Sequence, residues 1–335
     1  MALVKAISFD WAKAGEGGIT VSGAAFSTTQ KRTGTHALRL WSNSVPFYQN
    51  GQIPFPELSE FYVQFGFYLD TNVQGTVEFL RWRKGTTTLG GLKLNGARKL
   101  EIWTGNFASL VATAADPLPL NNWCVVELHV KIADAGGITL RQDFIEQAVF
   151  TGDTKPGTDT GADVIWIGNA WNSGGYVYID DFIIHDTTGA VNNSWPRGAK
   201  CYLIKPNSDG AVLQWTPTPI GAHYAAVDEV PPSAADYLQT ILADKVDELG
   251  LEDLPAEALS VKGVVLQAWA FKGSAISPTQ VELGLKLGGM DYLGGDLALG
   301  TSEGWVGKVW NQHPGGGSFS INDINNAQLL LKSRV

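Results

Sequence analysis

Hydrophobic and polar positions along this 335-residue chain alternate in many short runs. Phe61–Leu69, Thr76–Trp82, Trp123–Ile132, Val164–Gly168 and Tyr176–Ile184 are rich in Val, Ile, Phe, Tyr and Trp, and Gly, Asn, Asp and Pro separate them. A period of two places successive side chains on opposite faces of a strand. In Thr76–Trp82 it sets Val77, Phe79 and Arg81 on one face and Glu78, Leu80 and Trp82 on the other. No strong helical period reaches ten residues in the first 190, and many strands closed by turns predict a sandwich or barrel.

Asp186–Gly198 is polar and holds Gly, Asn and Pro, which predicts a linker over 191–199 between domains spanning 1–190 and 200–335. Strand-like Lys200–Ile204 follows, then turn-rich sequence to Pro232. Tyr237, Ile241, Val246 and Leu249 space as a helix face and predict a short helical insert over 233–254, although Asp236–Leu242 fits a strand equally. Strand patterns return in Val261–Phe271, Gln280–Leu287 and Trp305–Trp310. In the second of these, Val281, Leu283, Leu285 and Leu287 share one face. The expected fold class is all-β, with two jelly-roll-like β-sandwich domains, the second serving assembly or anchoring.

Composition agrees with sheet: 39 glycines suit turns and 12 tryptophans suit strands, while 44% hydrophobic residues can fill two cores. A formal net charge of −9 argues against a nucleic-acid partner, and Arg81, Arg83 and Lys84 are expected to be a solvated strand face. Cys124 and Cys201 lie in different candidate domains without a CxxC spacing, so free buried thiols are expected. No stretch approaches the ~20 apolar residues of a membrane helix, so no membrane insertion is expected. The start of the chain does not read as a signal peptide, which implies synthesis in a cytoplasm without secretory export.

Few side chains suggest chemistry. His36, His129, His185, His223 and His313 do not pair at metal-ligand spacing. Asp180 and Asp181 are adjacent and should point to opposite sides of a strand; with Asp163 from the neighbouring loop they form a candidate calcium set, because a hard cation takes several oxygens. No other cofactor is expected. Trp82, Trp103, Trp166 and Trp171 could stack on sugar rings or a protein partner, against a commoner role in the core. Trp171, flanked by Asn169 and Asn172 in a glycine-rich loop, is the candidate best placed for display.

Residues 5–190 resemble the concanavalin A-like, laminin-G-like jelly rolls, on the strength of Asn121–Val130, Gly137–Arg141, Gly168 and Tyr178–Asp186. Residues 200–335 resemble a β-rich module of tailed-phage virion proteins, through Gln214–Pro217, His223–Pro232, Gln267–Phe271, Gly284–Leu287, Trp305 with Trp310, and Asn322–Asn325. These resemblances imply a protein of the virion surface: a capsid decoration, head fibre or tail appendage that contacts other virion proteins, forms a homo-oligomer and is not an enzyme. The alternative is a lectin-like adhesin for host surface glycans. A diverged glycoside hydrolase is a third reading: the jelly roll hosts glucanases, but their Glu-x-Asp-x-x-Glu strand is missing here.

Overall fold

The computed structural model describes residues 2–41, 49–169, 175–273 and 278–335. The fold is all-β, in two compact units, residues 1–201 and 202–335. The strands of the first unit are β1 (Leu3–Ile7), β2 (Thr20–Ser22), β3 (Ala25–Ser27), β4 (Ala37–Trp41), β5 (Gln49–Leu58), β6 (Glu60–Leu69), β7 (Val77–Lys84), β8 (Thr87–Leu94), β9 (Leu100–Thr104), β10 (Ser109–Thr113), β11 (Trp123–Lys131), β12 (Gly136–Gln142), β13 (Ile145–Gly152), β14 (Ala162–Asn169) and β15 (Tyr176–Asp186). They form two antiparallel sheets. Sheet A runs β13-β12-β11-β6-β15-β4-β3, with β1 also paired to β15; sheet B runs β10-β9-β8-β7-β14-β5-β2.

One core lies between the sheets. On β6 the odd residues Phe61, Val63, Phe65, Phe67 and Leu69 are all buried, as strict alternation requires. Phe65 and Phe67 meet Phe79 of sheet B at ring separations of 5.7 and 4.9 Å, and Phe65 stacks on Phe182 at 6.2 Å. Strand β7 departs from the expected alternation. A bulge between Glu78 and Leu80 resets the pleat, so Val77, Phe79, Leu80 and Trp82 all enter the core. Glu78, Arg81 and Arg83 are left on the outer face.

The N-terminal loop is fastened by a buried acid. Glu16 Oε1 accepts hydrogen bonds from Ser8 N (2.9 Å), Ser8 Oγ (3.1 Å) and Phe9 N (3.3 Å). Burial pushes its carboxyl up to about 7, against the bonds from Ser8, so it enters the fold as the acid. An acid whose folded pKa is raised favours folding below its unfolded value, and that contribution is lost as pH rises through the folded value. Urea stability should therefore fall between about pH 4.5 and pH 7, by on the order of 3 kcal/mol for this group. Glu16→Gln should flatten that part of the profile; an unchanged slope would assign the titration elsewhere.

The second unit contains β16 (Pro206–Leu213), β17 (Thr216–Thr218), β18 (Tyr237–Gln239), β19 (Val246–Leu251), β20 (Val264–Ala270), β21 (Gln280–Leu287), β22 (Met290–Ala298), β23 (Gly304–Trp310), the one-turn helix α1 (Ile321–Asn325) and β24 (Gln328–Arg334). A five-stranded sheet, β16-β19-β24-β21-β22, and the ribbons β17-β18 and β20-β23 share a core around Leu249, Leu266, Leu283 and Leu285. The helix expected over 233–254 does not form. β18 and β19 occupy that stretch, paired to β17 and to β16 and β24, and Ile241 of the supposed helix face is 72% exposed. Ladder pairing overrides a weak helical spacing interrupted by Asp244 at φ +58°. Lys200–Ile204, expected to be strand-like, joins no ladder.

Candidate functional site

The outer face of sheet A is covered by the chain itself. Residues 194–201, expected to be part of a linker, lie across it as a strap. His185 Nδ1 meets Ser194 O at 2.8 Å, and Trp195 packs edge-on to Tyr62 with Arg141 stacked over its ring at 3.9 Å. Arg197 N donates to Glu127 Oε1 (2.7 Å), Gly198 N to Gln64 Oε1 (2.6 Å) and Cys201 N to Asp181 Oδ1 (2.6 Å), while Gln64 Nε2 donates to Ala199 O (2.8 Å). Glu127 and Gln64 are fully buried as a result, and burial raises the Glu127 carboxyl pKa. These polar groups sit on the outward positions of β6, β11 and β15 because the inward ones are apolar; the strap satisfies most of them and leaves Glu127 Oε2 buried without a hydrogen-bond partner among the described residues.

Sheet B presents a different surface. Its ladders place Thr20, Gln52, Trp166, Arg81, Gly91 and Trp103 in one transverse row across β2, β5, β14, β7, β8 and β9. Trp166 and Trp103 stand three strands apart, roughly 14 Å at the usual inter-strand spacing. The Arg81 guanidinium lies between them, 4.6 Å from the Trp166 ring and 5.2 Å from that of Phe107, and pairs with Glu78. Gly91 is required here: a Cβ at that position would collide with the Phe107 ring and with Leu80 O. Phe107, from the turn between β9 and β10, folds back over this gap.

A second row runs beside the first, Glu78–Lys93–Glu101 on β7, β8 and β9. Lys93 Nζ lies 3.8 Å from the centre of the Trp103 ring and 5.0 Å from that of Phe107. Glu101 accepts from Trp103 Nε1 (3.1 Å) and Asn95 Nδ2 (2.9 Å), which fixes the indole plane. The result is a face on which a half-buried Trp103 and the largely buried rings of Trp166 and Phe107 are interleaved with two cations and two carboxylates, all but Phe107 held on strand interiors. Such a surface can stack against the apolar side of a ring and offer charged donors to polar substituents around it.

The residues singled out from sequence fall in several places. Trp103 is on this face, and so is Trp166. Trp82 is not: it is a fully buried core residue of the same sheet. Asn169 ends β14 opposite Gln49; Trp171 and Asn172 lie outside the described residues. The candidate calcium set is not assembled. Asp163, on sheet B, accepts from Gly85 N (2.8 Å) and pairs with Lys84 (3.2 Å). Asp180 and Asp181 are on sheet A, and a bulge with Asp181 at φ +49° turns both carboxylates toward Arg32 and Thr33 instead of to opposite sides. Burial, then the charge of Asp181, raises Asp180 to about 8. Among the described residues no group of three or more His, Cys, Asp or Glu could hold a metal ion. Arg81, Lys93, Phe107, Glu78 and Glu101 were not anticipated as site residues, although Gly90–Gly91 inside a strand marks a close approach.

No family model and no curated protein matches the chain. Solved structures do, as partial and distant likenesses. Endo-β-1,4-glucuronan lyase from the fungus Trichoderma reesei is 12% identical with a TM-score of 0.38, over 50% of this chain and 87% of that one. Domain 4 of AbnA, a GH43 extracellular arabinanase from Geobacillus stearothermophilus, in complex with arabinotriose, is 17% identical with a TM-score of 0.40, over 55% and 93%. Alginate lyase Aly36B is 10% identical with a TM-score of 0.39, over 54% and 96%. These likenesses are to enzymes or to a domain of one, so they run against the expectation that the chain is not an enzyme, and they show no activity of this chain.

Proposed function

We propose that the first unit engages carbohydrate across the outer face of sheet B. The observation that carries this reading is the in-register row Trp166–Arg81–Gly91–Trp103, in which glycine clears the space between two tryptophans and a third ring, Phe107, closes over it. A saccharide lying along the row, perpendicular to the strands, would stack on Trp103, with Trp166 and Phe107 as its largely buried support, while Arg81 and Lys93 donate to its oxygens. Glu78 and Glu101 stand either side of Lys93, and paired carboxylates are what glycosidic cleavage requires.

An array of immobilised oligosaccharides probed with the full chain tests the reading, with soluble product scored in parallel so that capture and turnover are both seen. Trp103→Ala should weaken binding about tenfold or more, as expected for an aromatic anchor, and lower the unfolding midpoint by only about 2–4 °C, because the ring is half-buried and outside the core. Saccharide binding unaffected by this substitution would remove sheet B as the site. Display on a tailed-phage particle, implied by the resemblance of the His223–Pro232 run, is the setting we propose for this face. Gold-labelled antibody against the chain should decorate purified particles; bare particles would remove the setting and leave the binding face untouched.

A further inference from the structure

We infer that the saccharide taken by sheet B is anionic, carrying carboxylates or sulfate esters. This rests on the carbohydrate reading above and goes further by naming the class of ligand. Three cations share the outer face: Arg81 and Arg83, two residues apart on β7, and Lys93 on β8. In a chain of net charge −9 each could be expected to find a carboxylate partner. Arg81 does, in Glu78. Lys93 has Glu78 and Glu101 as its direct cross-strand neighbours, yet its ammonium group rests on the Trp103 and Phe107 rings, and no ion pair holds it among the described residues.

Arg83 is placed less favourably still. Its Nη2 donates to Thr86 O at 2.9 Å, but its buried Nε has no hydrogen-bond partner among the described residues. Burial, then the neighbouring charge of Arg81, weigh against its cationic form and outweigh the carboxylate of Asp163, which favours it. Adjacent guanidinium groups repel each other, and an anion over the pair relieves that repulsion even though the buried Nε–H itself is out of a ligand's reach. Lys93 on the ring face is in the same condition, a cation held by quadrupoles with its strongest partner position open. A carboxylate or sulfate over β7 and β8 would answer both, while the sugar ring that bears it stacks on Trp103 or Phe107.

The experiment is calorimetric titration of the full chain with three polymers of similar length: polygalacturonate for carboxylates, dextran sulfate for sulfate esters and unmodified dextran as the neutral probe. Each is run at low salt and at about 0.3 M salt, where exposed charges are largely screened. Binding of polygalacturonate that weakens at least tenfold with salt, and at least fivefold in Lys93→Gln, is the expected result and assigns carboxylates. The same pattern for dextran sulfate alone assigns sulfate esters. Binding of dextran that ignores salt and Lys93→Gln overturns the inference while leaving the carbohydrate reading intact. Binding of none of the three overturns the inference for these anions, and the oligosaccharide array then decides the broader reading on its own. Lys93→Gln removes the charge while keeping a polar side chain that reaches toward the same rings, and an unchanged unfolding midpoint shows that any loss is of charge and not of fold.

Discussion

Trp82→Ala is expected to cost about 3–5 kcal/mol of folding stability, the range for removing a buried tryptophan. The indole is fully buried in the middle of sheet B, on the strand whose bulge turns it inward. Its six-membered ring sits against the backbone of Gly90: a Cβ there would come within 2.5 Å of Cζ2 and 2.7 Å of Cε2. The void left by alanine is bounded by ladder backbone, which cannot collapse into it. Trp82 Nε1 is buried without a hydrogen-bond partner among the described residues. An unmade bond of that kind already burdens the native state by about 1–3 kcal/mol. Trp82→Phe should consequently cost less than the volume lost suggests, about 1–2 kcal/mol, and should leave saccharide binding as it was. Urea denaturation of the two variants checks both values; a cost under 1 kcal/mol for alanine would show that the ring does not support the sheet.

Trp82 and Trp103 also show what could be read in advance. Most strands were legible, because alternation survives wherever a ladder is regular, as in β6 and β21. Trp82 was grouped with the face of Glu78, not with that of Val77 and Phe79, because a bulge inserts one residue and inverts every side chain beyond it, while leaving the sequence pattern intact. The same event on β15 brought Asp180 and Asp181 to one side of the sheet. Register was the other hidden quantity. Trp166, Arg81, Gly91 and Trp103 are scattered over 85 positions and become a row only when four strands align. Arg81 was expected on a solvated strand face and Lys93 drew no reading, because nothing local to either indicates the rings that the neighbouring strands supply. The strap was missed for a different reason. Asn, Gly and Pro mark irregular backbone equally well whether it is free or docked, and its partners Gln64, Glu127 and Asp181 are between 20 and 134 residues away in the chain.

Asp181→Ala should release that strap and lower stability by about 3 kcal/mol, the lower end for breaking a buried ion pair. The carboxylate accepts from Cys201 N at 2.6 Å and Thr33 Oγ1 at 2.9 Å and pairs with Arg32, which also donates to Gly198 O at 3.3 Å. The lower end applies because deletion also relieves Asp180, whose carboxyl is pushed up partly by the charge of Asp181. For a unit of this size the change corresponds to roughly 6–12 °C in unfolding temperature. Hydrogen exchange should accelerate at the amides of Gly198 and Cys201, with those of β6 and β11 protected as before. Arg32→Ala separates the charge from the hydrogen bonds. Without the guanidinium, two buried acids with raised pKa values face each other, and protonation removes their repulsion. The loss in Arg32→Ala should therefore be smaller at pH 5 than at pH 8. A loss independent of pH would mean that Arg32 holds the strap by packing and its bond to Gly198, and that the two aspartates share a proton throughout.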